Sequence, residues 1–535
     1  LRQHQVELGN QGGDAVGFGV LQQHLAVAFD GVDGRTQVVP QLRPLSRSRL
    51  ARAGRQGAAA HDRVDLAHQQ AGGRLHRGQV GAEALEPRAQ GLGPQGRDRG
   101  QQVCRGLGHL GLNLRQIVGQ GTPGAWADAG AARGIAALQA LEYLEELRFL
   151  PEEIDWLAST GRFQPGFLDA LAGFRFTGDV HAMPEGTVFF PHEPIVRITA
   201  PMPEAQLVES RLINIFQFQT LIASKAARSV LAAPGKTLID FGMRRAHGAE
   251  AGLLAARAAY VAGFAGTATV QAGQLFGIPV SGTMAHSFVQ AHDSEEQAFE
   301  NFALANPGNV VLLIDTYDTE AGAEKTVHLA ARLRERGIKV QGVRLDSGDL
   351  ADHARRVRAI LDAGGLTDTG IFASGNLDEI QLWRLIQSGA PIDGFGIGSR
   401  LDVSADAPYL DCVYKLEEYA GLARRKRSEG KATWPGRKQV YRTFRDGQMA
   451  GDLVTVESDR QPERPLLKQA LLEQVMSGGK RMAPAPTLAQ IRDRAARNLD
   501  QLPDHLRQLE PGPAYAVEIS EALRALADQV DSRMA

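Results

Sequence analysis

Cysteine is nearly absent from this chain: Cys104 and Cys412 are the only two in 535 residues. Two thiols cannot build a disulfide framework or a cysteine-rich zinc site, so the composition fits a reducing cytoplasm. No run of about twenty apolar residues offers a membrane span. An excess of one charge is missing as well, with 59 Lys and Arg against 61 Asp and Glu. No global field therefore steers the chain to nucleic acid or a membrane, and any anion site must be local. The first residue is Leu and no basic-then-apolar leader comes after it, so nothing supports a secretory signal.

The first 130 residues or so lack more than the rest. No Tyr precedes Tyr143 and no Met precedes Met183. Gln, Gly, Arg, Ala and His crowd together, as in Gln69-Gln-Ala-Gly-Gly73 and Gly91-Leu-Gly-Pro-Gln-Gly-Arg-Asp-Arg-Gly-Gln-Gln102. Few windows show helical or strand periodicity, and the composition resembles disorder more than a core. A nucleic-acid-binding arm would need aromatic partners for the Arg residues, which are instead interrupted by Asp and Glu. A disordered extension, or translation from a wrong frame or upstream of the true start, fits better.

Order is expected from Gly134. Apolar residues recur at helical spacing over Ile135–Arg148, and Pro151–Leu157 starts a second helix with Pro in its first turn. Short strands come next between Phe174 and Ile198, among them Thr187–Phe190 and Ile195–Thr199. The stretch from Gln206 to Leu231 then reads as one long amphipathic helix. A chain of this length predicts two or three domains.

Between Thr237 and Arg400 one device repeats: a short apolar or β-branched run that ends on Gly, Arg, His, Asp or Ser and leads into a helix-like stretch. The runs are Thr237–Gly242, Ile278–Thr283, Val310–Asp315, Val340–Asp346, Gly370–Gly375 and Gly394–Gly398. An α/β barrel places chemistry at the carboxyl ends of its parallel strands in this way, so the run ends form a candidate site.

Arg244 and Arg245 come directly after the first run, and two adjacent guanidinium groups at a strand end call for an anion. An exposed pair at a helix start is the plain alternative. The second run presents His286, an imidazole suited to phosphoryl capture or proton transfer. His292 lies six residues on, on a different helix face, and is not paired with it. Asp315 and Asp318, and likewise Asp346 and Asp349 beside Arg344, are carboxylates spaced to hold ribose hydroxyls or a magnesium ion carrying phosphates. Their alternative is helix N-capping, which Ser347 and Asp349 can do. Ser374-Gly375-Asn376 and Gly396-Ile-Gly398-Ser399 supply turns with bare backbone N–H groups, suited to a phosphate.

The ordered set Phe241-Gly-Met-Arg-Arg245, Gly282-Thr-Met-Ala-His-Ser287, Leu313-Ile-Asp-Thr-Tyr-Asp-Thr319, Val343-Arg-Leu-Asp-Ser-Gly-Asp349 and Ala373-Ser-Gly-Asn376 resembles nicotinate phosphoribosyltransferases. The resemblance extends to Val413-Tyr-Lys-Leu416 and Ser428–Lys438, and covers roughly Gly134 to the C-terminus. It implies the irregular α/β barrel of type II phosphoribosyltransferases with an additional α+β domain. It also implies a homodimer, and the union of nicotinate with 5-phosphoribosyl 1-diphosphate in the salvage route to NAD. By the same resemblance His286 is a phosphohistidine through which ATP hydrolysis is coupled, Mg2+ accompanies the diphosphate, and Asp346 and Asp349 belong to the catalytic set. Thr283 and Arg344 would contact nicotinate, Arg344 facing its carboxylate, with Arg244 and Arg245 near the same anions.

The resulting division is a low-order extension over 1–133, an N-terminal α+β domain over 134–235, a barrel over 236–412, and a C-terminal segment over 413–535 that completes the β-rich domain and adds closing helices. The family's N-terminal segment, resembling Thr-Asp-Leu-Tyr-Gln-Leu-Thr-Met, has no counterpart here. Its absence points to a misread start and predicts a weakened pocket wall. Nicotinamide phosphoribosyltransferase is the nearest alternative activity, and an inactive dimer partner is the alternative of another class.

Overall fold

The structure, a computed structural model, describes residues 112–119, 132–134, 136–429, 431–459, 467–510 and 512–534. The expectation for residues 1–111 and 120–131 lies outside the described residues. Two segments of the stretch expected to be of low order are nonetheless strands, Leu112–Gly119 and Ala132–Gly134.

Six parallel strands make the central sheet: β1 (Thr237–Asp240), β2 (Gly266–Thr267), β3 (Val311–Leu313), β4 (Gly342–Leu345), β5 (Gly370–Ala373) and β6 (Gly394–Ile397). They lie in the order β2-β1-β6-β5-β4-β3. The sheet is the open half of a barrel. Helices Ala249–Ala262, Thr319–Glu335, Leu350–Ala363 and Glu379–Gln387 alternate with the strands, as parallel pairing requires of the connections. All four residues of β4 and of β6 are buried, as expected for strands covered on both faces. Phe299 and Phe395 are fully enclosed in the core between sheet and helices, each contributing about 1.5–3 kcal/mol by burial.

Five of the six expected runs hold a strand of this sheet. The run Ile278–Thr283 does not: its only ladder contact is a single bridge from Val280 to Thr267. The neighbour of β1 on that side is β2, a two-residue strand with no β-branched run to announce it. The expected helix over Gln206–Leu231 is two helices, Met202–Leu207 and Glu209–Ala232, joined at Val208.

A second, largely antiparallel region is built from both ends of the described chain. Its seven-stranded sheet runs Leu422–Ala423, Cys412–Tyr419, Leu112–Gly119, Pro194–Pro201, Asp179–Ala182, Glu473–Ser477, Lys480–Arg481. Leu112–Gly119 is therefore an inner strand, paired with Pro194–Pro201 on one edge and Cys412–Tyr419 on the other. A four-stranded sheet pairs Lys438–Arg445 with Gln448–Val456 and adds Leu467–Ala470 and Val517–Ile519. Helices Leu488–Asp500 and Glu521–Met534 close the C-terminal part. Among the described residues no helix is long and apolar enough to cross a membrane.

Candidate active site

The side chains singled out at the ends of five runs sit at the carboxyl end of the parallel sheet or in the turn beyond it, while Thr283 and His286 follow the run Ile278–Thr283, which holds no strand of the sheet. Arg344 on β4 is deeply placed, only 8 % exposed. Its Nε is buried without a hydrogen-bond partner, and its guanidinium lies 5.9 Å from the centre of the Phe241 ring. Burial lowers its pKa from the ordinary value; the charges of Asp346 and Asp315 pull the other way, and Arg244 adds to the lowering. A guanidinium stays protonated under such a shift, so β4 ends on a desolvated cation with a second cation close enough to repel it. That arrangement favours an anion between them. Arg244 and Arg245 stand exposed on the single turn Met243–Arg245.

Beside them His286, at the start of the short helix His286–Gln290, has Nδ1 3.1 Å from Thr316 Oγ1. Its Nε2 faces Asp346 Oδ2 at 3.7 Å. The imidazole is 38 % exposed and the carboxylate 33 %, so both can meet a ligand. Asp346 is held from two sides. Its Oδ1 accepts from Ser374 Oγ at 2.5 Å, and its backbone N–H donates to Asp315 Oδ2 at 2.8 Å. Ser347 Oγ also donates to Asp315 Oδ2, at 2.7 Å. The ends of β3, β4 and β5 are thus stitched together around one carboxylate.

The remaining carboxylates serve the backbone. Asp318 Oδ1 accepts from Ala321 N–H and Asp349 Oδ1 accepts from Ala351 and Asp352 N–H, so each caps a helix N-terminus. Asp315 keeps one oxygen, Oδ1, buried and unpartnered. Among the described residues no three His, Cys, Asp or Glu side chains gather in a way that could hold a metal ion. Magnesium keeps most of its water and prefers substrate phosphates to an all-protein cage, so the donor set suits an ion carried in on a diphosphate rather than a resident one.

The two glycine-rich turns flank the site. Gly375 has φ +106° and Asn376 φ +56°, which turns the chain after β5. Ser399 starts the short helix after β6, with Gly396 and Gly398 just before it. Thr283 Oγ1 donates to Met284 O at 3.2 Å, and Gly282 O accepts from Asn309 Nδ2. His292 is set apart from His286, its Nδ1 2.8 Å from Phe288 O.

The geometry adds residues that the motifs did not single out. Arg400 donates from Nη1 to Asp378 Oδ2 at 2.7 Å and from Nε to Asn376 Oδ1 at 3.3 Å, bridging the two glycine-rich turns. Asp240 and Asp402 form a buried carboxyl pair beneath the Arg244 turn. An Arg beside a glycine-rich strand end was a usable signal for the first. No local signal marks the second.

Family models described as the nicotinate phosphoribosyltransferase N-terminal domain, the nicotinate phosphoribosyltransferase family and its C-terminal domain match residues 128–217, 237–432 and 464–527. Nicotinate phosphoribosyltransferase pncB2 of Mycobacterium tuberculosis is 48% identical over 394 residues, 73% of this chain and 83% of that protein. Nicotinate phosphoribosyltransferase of Bacillus subtilis is 35% identical over 410 residues, 72% of this chain and 83% of that protein. The crystal structure of human nicotinic acid phosphoribosyltransferase superposes with a TM-score of 0.72 at 27% identity, covering 81% of this chain and 99% of that one.

Proposed function

The chain belongs to the nicotinate phosphoribosyltransferase family, and from that premise we propose how its residues join nicotinate to 5-phosphoribosyl 1-diphosphate. The lone pair of the pyridine nitrogen forms the new C1–N bond while the C1–O bond breaks and its electrons leave with diphosphate. The products are nicotinate mononucleotide and diphosphate, and no proton moves in that step. Positive charge builds on the ribosyl carbon and negative charge on the leaving group. Anion clamps therefore matter more than a strong base.

Arg344 carries this reading. A buried guanidinium with an unpartnered Nε, opposed by Arg244, is matched to a carboxylate by charge and by its fork of donors. Nicotinamide has no charge to offer it. Thr283, at the turn before His286, completes the nicotinate contacts, and Arg245 adds to the anionic field. The turns at Ser374, Gly375 and Asn376 and at Gly396, Gly398 and Ser399 supply N–H groups for the phosphates. Asp346 is the carboxylate that faces the reacting sugar in this scheme. Asp349, Asp315 and Asp318 act behind it by setting the loops.

His286 is the phosphoryl acceptor in this scheme. A ring nitrogen takes the γ-phosphoryl group of ATP as the bond to ADP breaks, and water later cleaves the N–P bond. Thr316 fixes the ring through Nδ1. Magnesium supplies charge neutralisation to the diphosphate when bound. The protein acts as a homodimer in the NAD salvage route. Its two cysteines fit the reducing cytoplasm.

The test is chromatographic: purified protein with nicotinate, phosphoribosyl diphosphate and magnesium, with and without ATP. Nicotinate mononucleotide should form, faster with ATP, and acid-labile phosphate from ATP should label the wild type and not His286→Ala. A folded protein that makes no product would overturn the proposal and favour an inactive dimer partner.

A further inference from the structure

Asp240 ends β1, and Asp402 ends the short helix Ser399–Asp402 that comes after β6. Each is 1 % exposed. Both oxygens of Asp240 are engaged: Oδ1 accepts from Gly242 N–H at 2.8 Å and Oδ2 accepts from Thr267 Oγ1 at 2.7 Å. Thr267 Oγ1 accepts in turn from Thr269 N–H at 3.0 Å. Asp402 is in the opposite position. Neither of its oxygens meets a hydrogen-bond donor among the described residues. It faces the carboxyl group of Asp240 and the bare Cα of Gly242, where a Cβ would overlap the Asp402 carboxyl.

Two ionised carboxylates in so dry a site would repel with nothing to compensate them. A carboxyl group that has no donor of its own and lies against a carboxylate rich in donors has one satisfied state, the acid form donating to its neighbour. We propose that Asp402 is held as the neutral acid and donates to Asp240, so that the pair with its single proton is a positioning hub for three strand-end turns. The turns are Phe241–Arg245, reached through Gly242; Thr267–Thr269, reached through Thr267; and Gly398–Asp402, which carries Asp402 itself. The direction of titration agrees: burial first, and the Asp240 charge second, raise the Asp402 pKa well above the ordinary carboxyl value. Asp240 is raised as well, by burial, against the donors that hold its charge.

The hub reaches substrate indirectly. Phe241, next to Gly242, carries the ring under the Arg344 guanidinium, and Gly398 packs on the Phe241 carbonyl. Displacing the turn moves the platform of Arg344 and the anchor of Arg244 and Arg245. This part rests on the reading of those arginines as the nicotinate clamp, while the hydrogen-bond hub does not.

Three single variants test it: Asp402→Asn, Asp402→Ala and Asp240→Asn. An amide at 402 can still donate, so Asp402→Asn should keep the nicotinate KM within about twofold of wild type. Asp402→Ala removes the donor, and Asp240→Asn turns an NH2 toward groups that are themselves donors. Both should raise KM for nicotinate roughly tenfold or more, with a smaller change in kcat, because the clamp is misplaced. Backbone amide exchange read by mass spectrometry supplies the measurement independent of turnover. Residues 241–246, 267–270 and 398–404 should lose protection together in Asp402→Ala and recover in Asp402→Asn, while β4 and β5 stay protected. Asp402→Asn as damaged as Asp402→Ala, or the three turns responding separately, would overturn the hub. Were the wild type itself without turnover, the functional proposal would fall and the exchange pattern would still decide the hub.

Discussion

Asp346 stands between His286 and Ser374, with one carboxylate oxygen 3.7 Å from the imidazole Nε2 and the other accepting the serine hydroxyl at 2.5 Å. The serine holds the carboxylate in place and the carboxylate gives the imidazole a fixed negative neighbour. Asp346→Asn should therefore cost activity while sparing the fold, since the side chain is a third exposed. We expect kcat to fall about a hundredfold with little change in melting temperature. Steady-state kinetics beside a thermal melt checks this, and unaltered kcat would remove Asp346 from the catalytic set.

Gly375 cannot carry a side chain for two independent reasons. Its φ of +106° is outside the range of L-residues, and a Cβ there would overlap the carbonyl oxygen of Asp346. Gly365 serves as the control, with φ +74° and open space where its Cβ would be. Gly365→Ala should cost about 1–2 kcal/mol, the conformational part alone. Gly375→Ala should cost more and should lower kcat as well, because the carbonyl it displaces belongs to Asp346. Urea denaturation of the two variants, with activity assays, separates the contributions.

Arg344 sets stability against function. Burial of its cation is unfavourable to folding and outweighs the attraction of Asp346 and Asp315, so Arg344→Met should leave the melting temperature unchanged or higher. The same variant should raise KM for nicotinate by about a hundredfold. Added nicotinate should stabilise the wild type in a melt and not the variant.

Glu417 supplies a pH dependence remote from the site. It lies buried 3.6 Å from Lys438, and burial, outweighing the attraction of Lys438, pushes its pKa up from 4.5 to about 7. The folded state thus prefers the acid form. Its contribution is fully present below pH 4.5 and is lost as pH rises through 7. Relative to Glu417→Gln, the wild type should lose up to about 3 kcal/mol across that window. Urea melts of both proteins from pH 4.5 to 8 measure the difference, and parallel profiles would contradict it.

Much of the barrel could be read from the chain because strands buried on both faces leave continuous apolar runs, and the residues that end five of the six runs land at the same end of the sheet. Arg344, Asp346 and Ser374 were found by that logic, and they meet in space. Strand β2 was missed because two residues, Gly266 and Thr267, have no period to detect. Val280 carried the apolar signal instead and makes one bridge. The strand Leu112–Gly119 was hidden in a stretch rich in Gln, Gly and Arg. It is recognisable only from partners far along the chain, at Pro194–Pro201 and Cys412–Tyr419.

Charged groups were legible as types and not as roles. Asp318 and Asp349 read equally as carboxylates for a ribose or a magnesium ion and as helix caps, and in the fold each spends one oxygen on a helix N-terminus. Asp240 closes an apolar run and Asp402 carries no local pattern, so nothing local pairs the two. Only the closure of β1 against β6 brings their carboxyl groups together.

In the proposed function, Arg344 makes this site one for an acid. The measurement that tests it most directly is kcat/KM for nicotinate and for nicotinamide, in wild type and in Arg344→Ala, with mononucleotide products separated by chromatography. The wild type should favour nicotinate by at least about a hundredfold, and Arg344→Ala should lose most of that preference by losing nicotinate rather than gaining nicotinamide. A wild type that uses both pyridines equally, or an Arg344→Ala variant that keeps the preference, would contradict it.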